Sequence, residues 1–113
     1  MDFTFPSSHR IRQSKEFVQA FSNKGLTNKW FIVYIINNNH QNPRLGMVVS
    51  KRIMPKAVSR NFAKRLIREV FRQNANNLPE RDFFVKIRRS LSKSTSKEAK
   101  LALFQLLLGS TVL

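Results

Sequence analysis

The stretch from Ala57 to Gln73 constrains the fold most, because it contains neither Gly nor Pro and its side chains divide into two faces. At about 100° per residue, as in an α-helix, the apolar side chains fall within one half of the helical wheel. These residues are Val58, Phe62, Ala63, Leu66, Ile67 and Val70. Only Glu69 and Phe71 stray across the boundary. The pattern predicts a long amphipathic helix that packs one face against a core.

The other face of this helix is basic, with residues at spacings of four that form a row of cations. It contains Arg60, Asn61, Lys64, Arg65, Arg68 and Arg72. A face that is merely solvated usually mixes Glu with Lys, whereas Glu69 is the only acid between Lys51 and Arg72. Guanidinium groups bind phosphates bidentately, and an Asn can contact a base edge or a sugar hydroxyl. The pattern favours nucleic-acid binding over a solvated face.

Composition supports the same interpretation. The chain has 113 residues with 21 Lys and Arg against 6 Asp and Glu, a net charge of +15. Such an excess opposes compaction unless a polyanion neutralises it. The length predicts one domain over residues 1–113. The absence of Cys excludes disulfides and thiolate metal sites. We expect a cytoplasmic protein, because the N-terminus lacks a secretory pattern and no apolar run reaches the roughly 20 residues of a membrane span.

Two strands are predicted on the N-terminal side of the basic helix. Lys29 to Asn37 is rich in β-branched and aromatic residues and apolar on both faces, and Leu45 to Val49 alternates. The polar turn between them predicts that they pair as a hairpin. An earlier helix, capped by Ser14, would carry Phe17 and Phe21 on one side.

A third strand and a last helix follow the basic helix. Asp82 to Arg88 forms the strand. Thr95 and Glu98 fit a capping box for the final helix. Its predicted apolar stripe contains Leu101, Leu103, Phe104, Leu107 and Leu108. The predicted fold class is therefore α+β.

Further cations flank the strands. Lys51, Arg52 and Lys56 lie before the basic helix, and Arg88 and Arg89 follow the last strand. If Tyr34, Phe17 and Phe21 lie beside them, the aromatic rings could stack on the bases of single-stranded nucleic acid. Packing in the core explains the same aromatic spacing.

No catalytic or metal-binding pattern is apparent. The six acids are scattered along the chain, at Asp2, Glu16, Glu69, Glu80, Asp82 and Glu98. His9 and His40 have no acid or nucleophile at a suggestive spacing. We therefore expect no catalytic residue and no protein-bound cofactor in this chain.

The segment from Ala57 to Glu69 resembles the signature of the bacterial ribonuclease P protein subunit: Ala, Arg-Asn, Lys-Arg, then an aliphatic and a basic residue. The resemblance extends over about residues 8–109. It implies a fold like that of ribosomal protein S5 domain 2, with about four strands packed against helices and a left-handed βαβ crossover. Phe62 stands where the family often has Arg, and Ala63 where it usually has a larger aliphatic residue.

The resemblance also implies a function. Ribonuclease P is a ribonucleoprotein endonuclease that removes the 5′ leader of precursor transfer RNA, with its catalytic centre and Mg²⁺ in the RNA. The partners implied are this catalytic RNA and precursor transfer RNA, without a membrane or a further protein. Residues implied to contact the catalytic RNA are Arg60, Asn61, Lys64, Arg65 and Arg68. Those implied to line a leader cleft are Phe17, Phe21, Tyr34, Lys51, Arg52, Lys56 and Arg89. A basic ribosomal protein would explain the charge and the fold, but not the helix motif together with the aromatic cleft. A protein nuclease is the third and poorest alternative, because it would need a general base or clustered carboxylates.

Overall fold

The computed structural model describes residues 25–37 and 42–109. Its helices and strands are β1 (Leu26–Thr27), β2 (Phe31–Asn37), β3 (Arg44–Val48), α1 (Ala57–Asn74), β4 (Arg81–Ile87) and α2 (Ser96–Gly109). Short 3-10 turns precede β4 and α2. The helix predicted from Ser14 lies outside the described residues. Four strands and two helices confirm the predicted α+β class. Neither helix in the described ranges is long and apolar enough to cross a membrane.

The sheet has the strand order β1-β2-β4-β3. β4 pairs antiparallel with β2, and it pairs parallel with β3 on its other side. The predicted hairpin between β2 and β3 is therefore wrong. β4 is buried on both faces and is an inner strand of the sheet. The hairpin was predicted wrongly because alternation of apolar and polar residues shows that a segment is a strand but not which strand it pairs with. A parallel pair needs a crossover connection, which α1 provides between β3 and β4. The left hand of this crossover stays a prediction from the resemblance.

Both helices pack against the same face of the sheet. The sheet contributes six buried side chains of that face to the main core: Phe31, Val33, Leu45, Phe83, Val85 and Ile87. Helix α1 contributes Ala63, Leu66, Ile67, Val70 and Phe71, and α2 contributes Ala99, Leu103 and Leu107. The rings of Phe71 and Phe83 meet edge to face with their centroids 5.7 Å apart. Such a pair adds about 0.5 to 1.5 kcal/mol beyond its buried area.

The sequence predicts correctly which side chains are buried at the centre of each apolar helix face, but not at the edges of these faces. Val58, assigned to the apolar face of α1, is 81% exposed, whereas Phe71, assigned outside it, is fully buried. On α2, Leu101 and Leu108 are exposed. A helical wheel gives the direction of a side chain but not the extent of the surface against which the helix packs.

The cap before α2 also differs from the prediction. Ser92 and Thr95 form the capping box, with the Ser92 amide donating to Thr95 Oγ1 at 3.0 Å. The box is therefore centred on the 3-10 turn, one turn before the predicted pair of Thr95 and Glu98. Glu98 instead approaches Lys29, with Nζ and Oε1 3.8 Å apart.

Candidate nucleic-acid interface

The polar face of α1 projects from the sheet, because its opposite face forms the core. Asn61 and Arg65 are exposed, and Lys64 and Arg68 are half-buried. Neither Lys64 nor Arg65 makes a side-chain hydrogen bond or ion pair within the described ranges. Their positive charges are therefore not neutralised by the described part of the fold and can meet an external anion.

Arg60 has a different environment from the rest of this face. Its Nη1 donates to the carbonyl oxygens of Met54 at 3.0 Å and Pro55 at 2.6 Å. Both carbonyls belong to the connection between β3 and α1. Arg60 thus fastens this connection to the first turn of the helix. Because an arginine has five N–H donors, Nε and Nη2 remain to contact a phosphate.

We expect Arg60→Ala to lower the free energy of unfolding by about 1.5 to 3 kcal/mol, the usual contribution of hydrogen bonds to a charged group. Lys64→Ala is the matched control and should change it by less than about 0.5 kcal/mol, because Lys64 has no polar partner in the described fold. Urea denaturation measures both. Equal stability of the two variants would mean that the Arg60 contacts contribute nothing.

The connection between β3 and α1 presents three of the predicted site residues. Lys51, Arg52 and Lys56 are all exposed. Ser50 stabilises this connection through two hydrogen bonds. Its Oγ accepts from the Arg52 amide at 3.0 Å, and its carbonyl oxygen accepts from the Met54 amide at 2.9 Å. Met54 is buried in the main core. The backbone that carries these cations is therefore anchored at Ser50, Met54 and Arg60.

The two arginines after β4 differ in their contacts. Arg88 Nη1 donates to Thr27 Oγ1 at 3.2 Å and to the Asn28 carbonyl at 2.5 Å. It thereby fastens β4 to the turn between β1 and β2. Arg89 is exposed, as is Arg88, and its place in the leader cleft stays a prediction.

These cations meet at one end of the sheet. β3 and β4 are parallel and end together, with Val48 opposite Lys86. The chain segments that follow them therefore leave the sheet on the same side. The topology brings Lys51, Arg52, Lys56 and Arg89 to this end, which is also where α1 begins. We call these four residues the basic end.

Tyr34 lies on the face of the sheet opposite the helices. It packs with Phe84 and Ile36 in a small second cluster, and it is half-buried whereas Phe84 is 1% exposed. A Cβ at Gly25 would lie 2.6 Å from Ile32 Cγ2 and 3.1 Å from Tyr34 Cε1, so only glycine lets the chain run this close. Phe17 and Phe21 lie outside the described residues, so whether they join Tyr34 stays a prediction.

The acids of the described ranges are dispersed, and most are paired. Asp82 accepts a bidentate contact from Arg44, with Nε to Oδ1 at 2.8 Å and Nη2 to Oδ2 at 2.7 Å. Glu69 lies 3.4 Å from Lys100. No group of His, Asp and Glu within residues 25–37 and 42–109 could hold a metal ion. The residues present there do not fit a protein-bound magnesium site.

A groove that the sequence did not predict follows one side of α1. It has a volume of about 420 Å³. Its lining residues are Val58, Ser59, Phe62, Arg65, Leu91, Ser92 and Lys93. Nothing in the polar sequence around Lys93 distinguishes it from an ordinary surface lysine. The only sequence signal was Phe62, an aromatic residue within a basic helix.

Comparison with known proteins decides the family. A family model described as Ribonuclease P matches residues 5–109. The chain belongs to the ribonuclease P protein family. The ribonuclease P protein components of Bacillus pumilus and Chromobacterium violaceum are similar to it. The first is 36% identical over 92% of this chain and 89% of the relative, and the second is 33% identical over 89% and 84%.

The fold agrees with this family. The solved ribonuclease P protein of Thermotoga maritima superposes with a TM-score of 0.68 at 33% identity, covering 88% of this chain and 92% of that one. Ribonuclease P proteins are accessory subunits of a ribonucleoprotein ribonuclease that processes the 5′ end of transfer RNA. The function and accessory role implied by the resemblance are thus confirmed, in preference to a ribosomal protein or a protein nuclease.

Proposed function

We propose that the polar face of α1 binds the catalytic RNA of ribonuclease P through Arg60, Asn61, Lys64, Arg65 and Arg68. The observation that carries this proposal is the absence of any polar partner for Lys64 and Arg65 within the described fold. Arg60 contributes Nε and Nη2 while its Nη1 holds the loop. Charge-assisted contacts of this kind position RNA by its phosphates.

The 5′ leader of precursor transfer RNA is the second partner. We place it against the basic end, Lys51, Arg52, Lys56 and Arg89, and along the sheet face that carries Tyr34, together with Phe17 and Phe21. Lys86 lies on the same face as Tyr34, two register positions nearer the basic end of the sheet. Cations and an aromatic side chain on adjoining surfaces suit a single strand, whose phosphates and bases need both.

The protein supplies binding and charge neutralisation, and the chemistry belongs to the RNA. Mg²⁺ is the ion we assign to the RNA active site, where it would stabilise charge on the oxygens of the phosphodiester. No step of that chemistry uses a residue of this chain. The whole chain would act as one RNA-binding domain in the cytoplasm.

Reconstitution tests this function. The purified chain alone should not cleave precursor transfer RNA at any Mg²⁺ concentration, whereas addition of the catalytic RNA should give cleavage at the 5′ maturation site. In the assembled complex, Lys51→Ala with Arg52→Ala should weaken binding of the precursor and leave mature transfer RNA, the matched control ligand, nearly unchanged. Cleavage by protein alone would refute the accessory role, and equal losses for both ligands would refute the assigned leader path.

A further inference from the structure

The groove beside α1 combines an apolar surface with cations. On the helix side, Phe62 is half-buried against the main core and Val58 is 81% exposed. Leu91 forms the buried part of the opposite wall. Arg65 and Lys93 line the groove and are exposed. No carboxylate lines it.

The groove continues along the helix. A second depression of about 210 Å³ shares Phe62 and Arg65 with the first and reaches Ser96 and Lys100. The acid there, Glu69, is engaged by Lys100 at 3.4 Å. The first depression, at about 420 Å³, falls within the roughly 300 to 1,000 Å³ of pockets that hold small organic groups.

We propose that this groove holds an unpaired nucleotide of the RNA partner, with its base against Phe62 and Val58 and its phosphates on Arg65 and Lys93. The proposal rests on the function proposed above for α1. It adds a site for one base to a helix whose proposed RNA contacts are otherwise made by charged and polar side chains. Proteins that bind RNA selectively usually contact unpaired bases and stack them on aromatic rings. The groove offers such a ring next to phosphate-binding cations.

Charge identifies the occupant. A second copy of this chain would bring another net charge of +15 to a rim that already carries Arg65 and Lys93. An apolar peptide would leave both cations without a counterion. A nucleotide satisfies the apolar floor and the cationic rim together, because it has a flat ring system and a phosphate on either side.

Three substitutions separate this subsite from general charge attraction. Val58→Glu places an anion in the groove, and Leu101→Glu makes the same change at an aliphatic residue of α2 that is 57% exposed and outside the groove. Both positions are exposed, so both variants should fold. Phe62→Leu keeps an apolar side chain against the core but removes the ring, and Phe62→Trp restores a ring.

The measurement is equilibrium binding of the full chain to the catalytic RNA, over a range of salt concentrations. Val58→Glu should weaken binding at least about five-fold more than Leu101→Glu does. Phe62→Leu should weaken it about five-fold or more without changing the salt slope, and Phe62→Trp should recover it. With 4-thiouridine in the RNA, photocrosslinks should map to residues 58–65 or 91–93.

Each result has a definite meaning. If the wild-type chain fails to bind the catalytic RNA, the proposed function and this subsite both fall. If it binds, but Val58→Glu equals Leu101→Glu, or Phe62→Leu changes only thermal stability, the subsite is wrong and the proposed function stands. Crosslinks confined to other segments would overturn the subsite in the same way.

Discussion

Asp82→Ala is expected to lower the free energy of unfolding by about 3 to 5 kcal/mol, the usual cost of removing one member of a buried ion pair. The Asp82 side chain is only 8% exposed and that of Arg44 13%. Removing the carboxylate would leave the Arg44 guanidinium in a poorly hydrated position without the acceptors of two hydrogen bonds of 2.7 and 2.8 Å. Urea denaturation at neutral pH measures the loss.

Two further variants control this experiment. Glu80→Ala removes an exposed acid two residues away and should cost less than about 0.5 kcal/mol. Replacing both Arg44 and Asp82 by Leu should recover much of the lost stability, because no unpaired charge remains buried. If Asp82→Ala were as stable as Glu80→Ala, the pair would not link β3 to β4 energetically.

The second large effect is expected for binding to the catalytic RNA. Lys64→Ala combined with Arg65→Ala should weaken binding by about 3 to 6 kcal/mol if each side chain makes one charge-assisted contact of about 1.5 to 3 kcal/mol. The dependence of log affinity on log salt should become shallower by about 0.7 to 0.9 for each lost phosphate contact. Thermal stability should stay unchanged, because neither side chain has a polar partner in the described fold.

Lys97→Ala, on the exposed side of α2, is the control for charge alone and is compared with each single variant. It removes one positive charge outside the proposed surface and should barely affect binding. If Lys97→Ala weakened binding as much as Lys64→Ala, the RNA would respond to net charge and not to the α1 face.

The sequence predicted local structure well, because helical periodicity is a local property. At the centre of α1, the side chains that the wheel placed on the apolar face are buried, namely Ala63, Leu66, Ile67 and Val70. Strand pairing was not predictable in the same way. The alternation in β3 would be the same whether this strand paired with β2 or with β4. The burial of both faces of β4 in the folded structure shows that β4 is an inner strand of the sheet.

The sequence named candidate site residues one by one, but it did not predict which of them make hydrogen bonds within the fold. Spacing placed Arg60 and Lys64 on the same face, yet only the three-dimensional path of the chain brings the Met54 and Pro55 carbonyls to Arg60. Likewise, Arg88 and Arg89 are indistinguishable as neighbours in sequence. Both are exposed, and only the fold brings Arg88 to hydrogen-bond Thr27 and Asn28, which are distant along the chain.

The central position of β4 bears on how the chain acquires its structure during synthesis. Phe31 pairs with Ile87 and Arg44 pairs with Asp82, so neither pair can form until β4 has been synthesised. Until the second half of the chain has left the ribosome, β2 lacks a partner on one edge and β3 lacks its only partner in the sheet. Contacts between such distant residues form slowly. A nascent chain with this positive charge emerges beside ribosomal RNA. Its cations therefore meet a polyanion before β4 can complete the sheet.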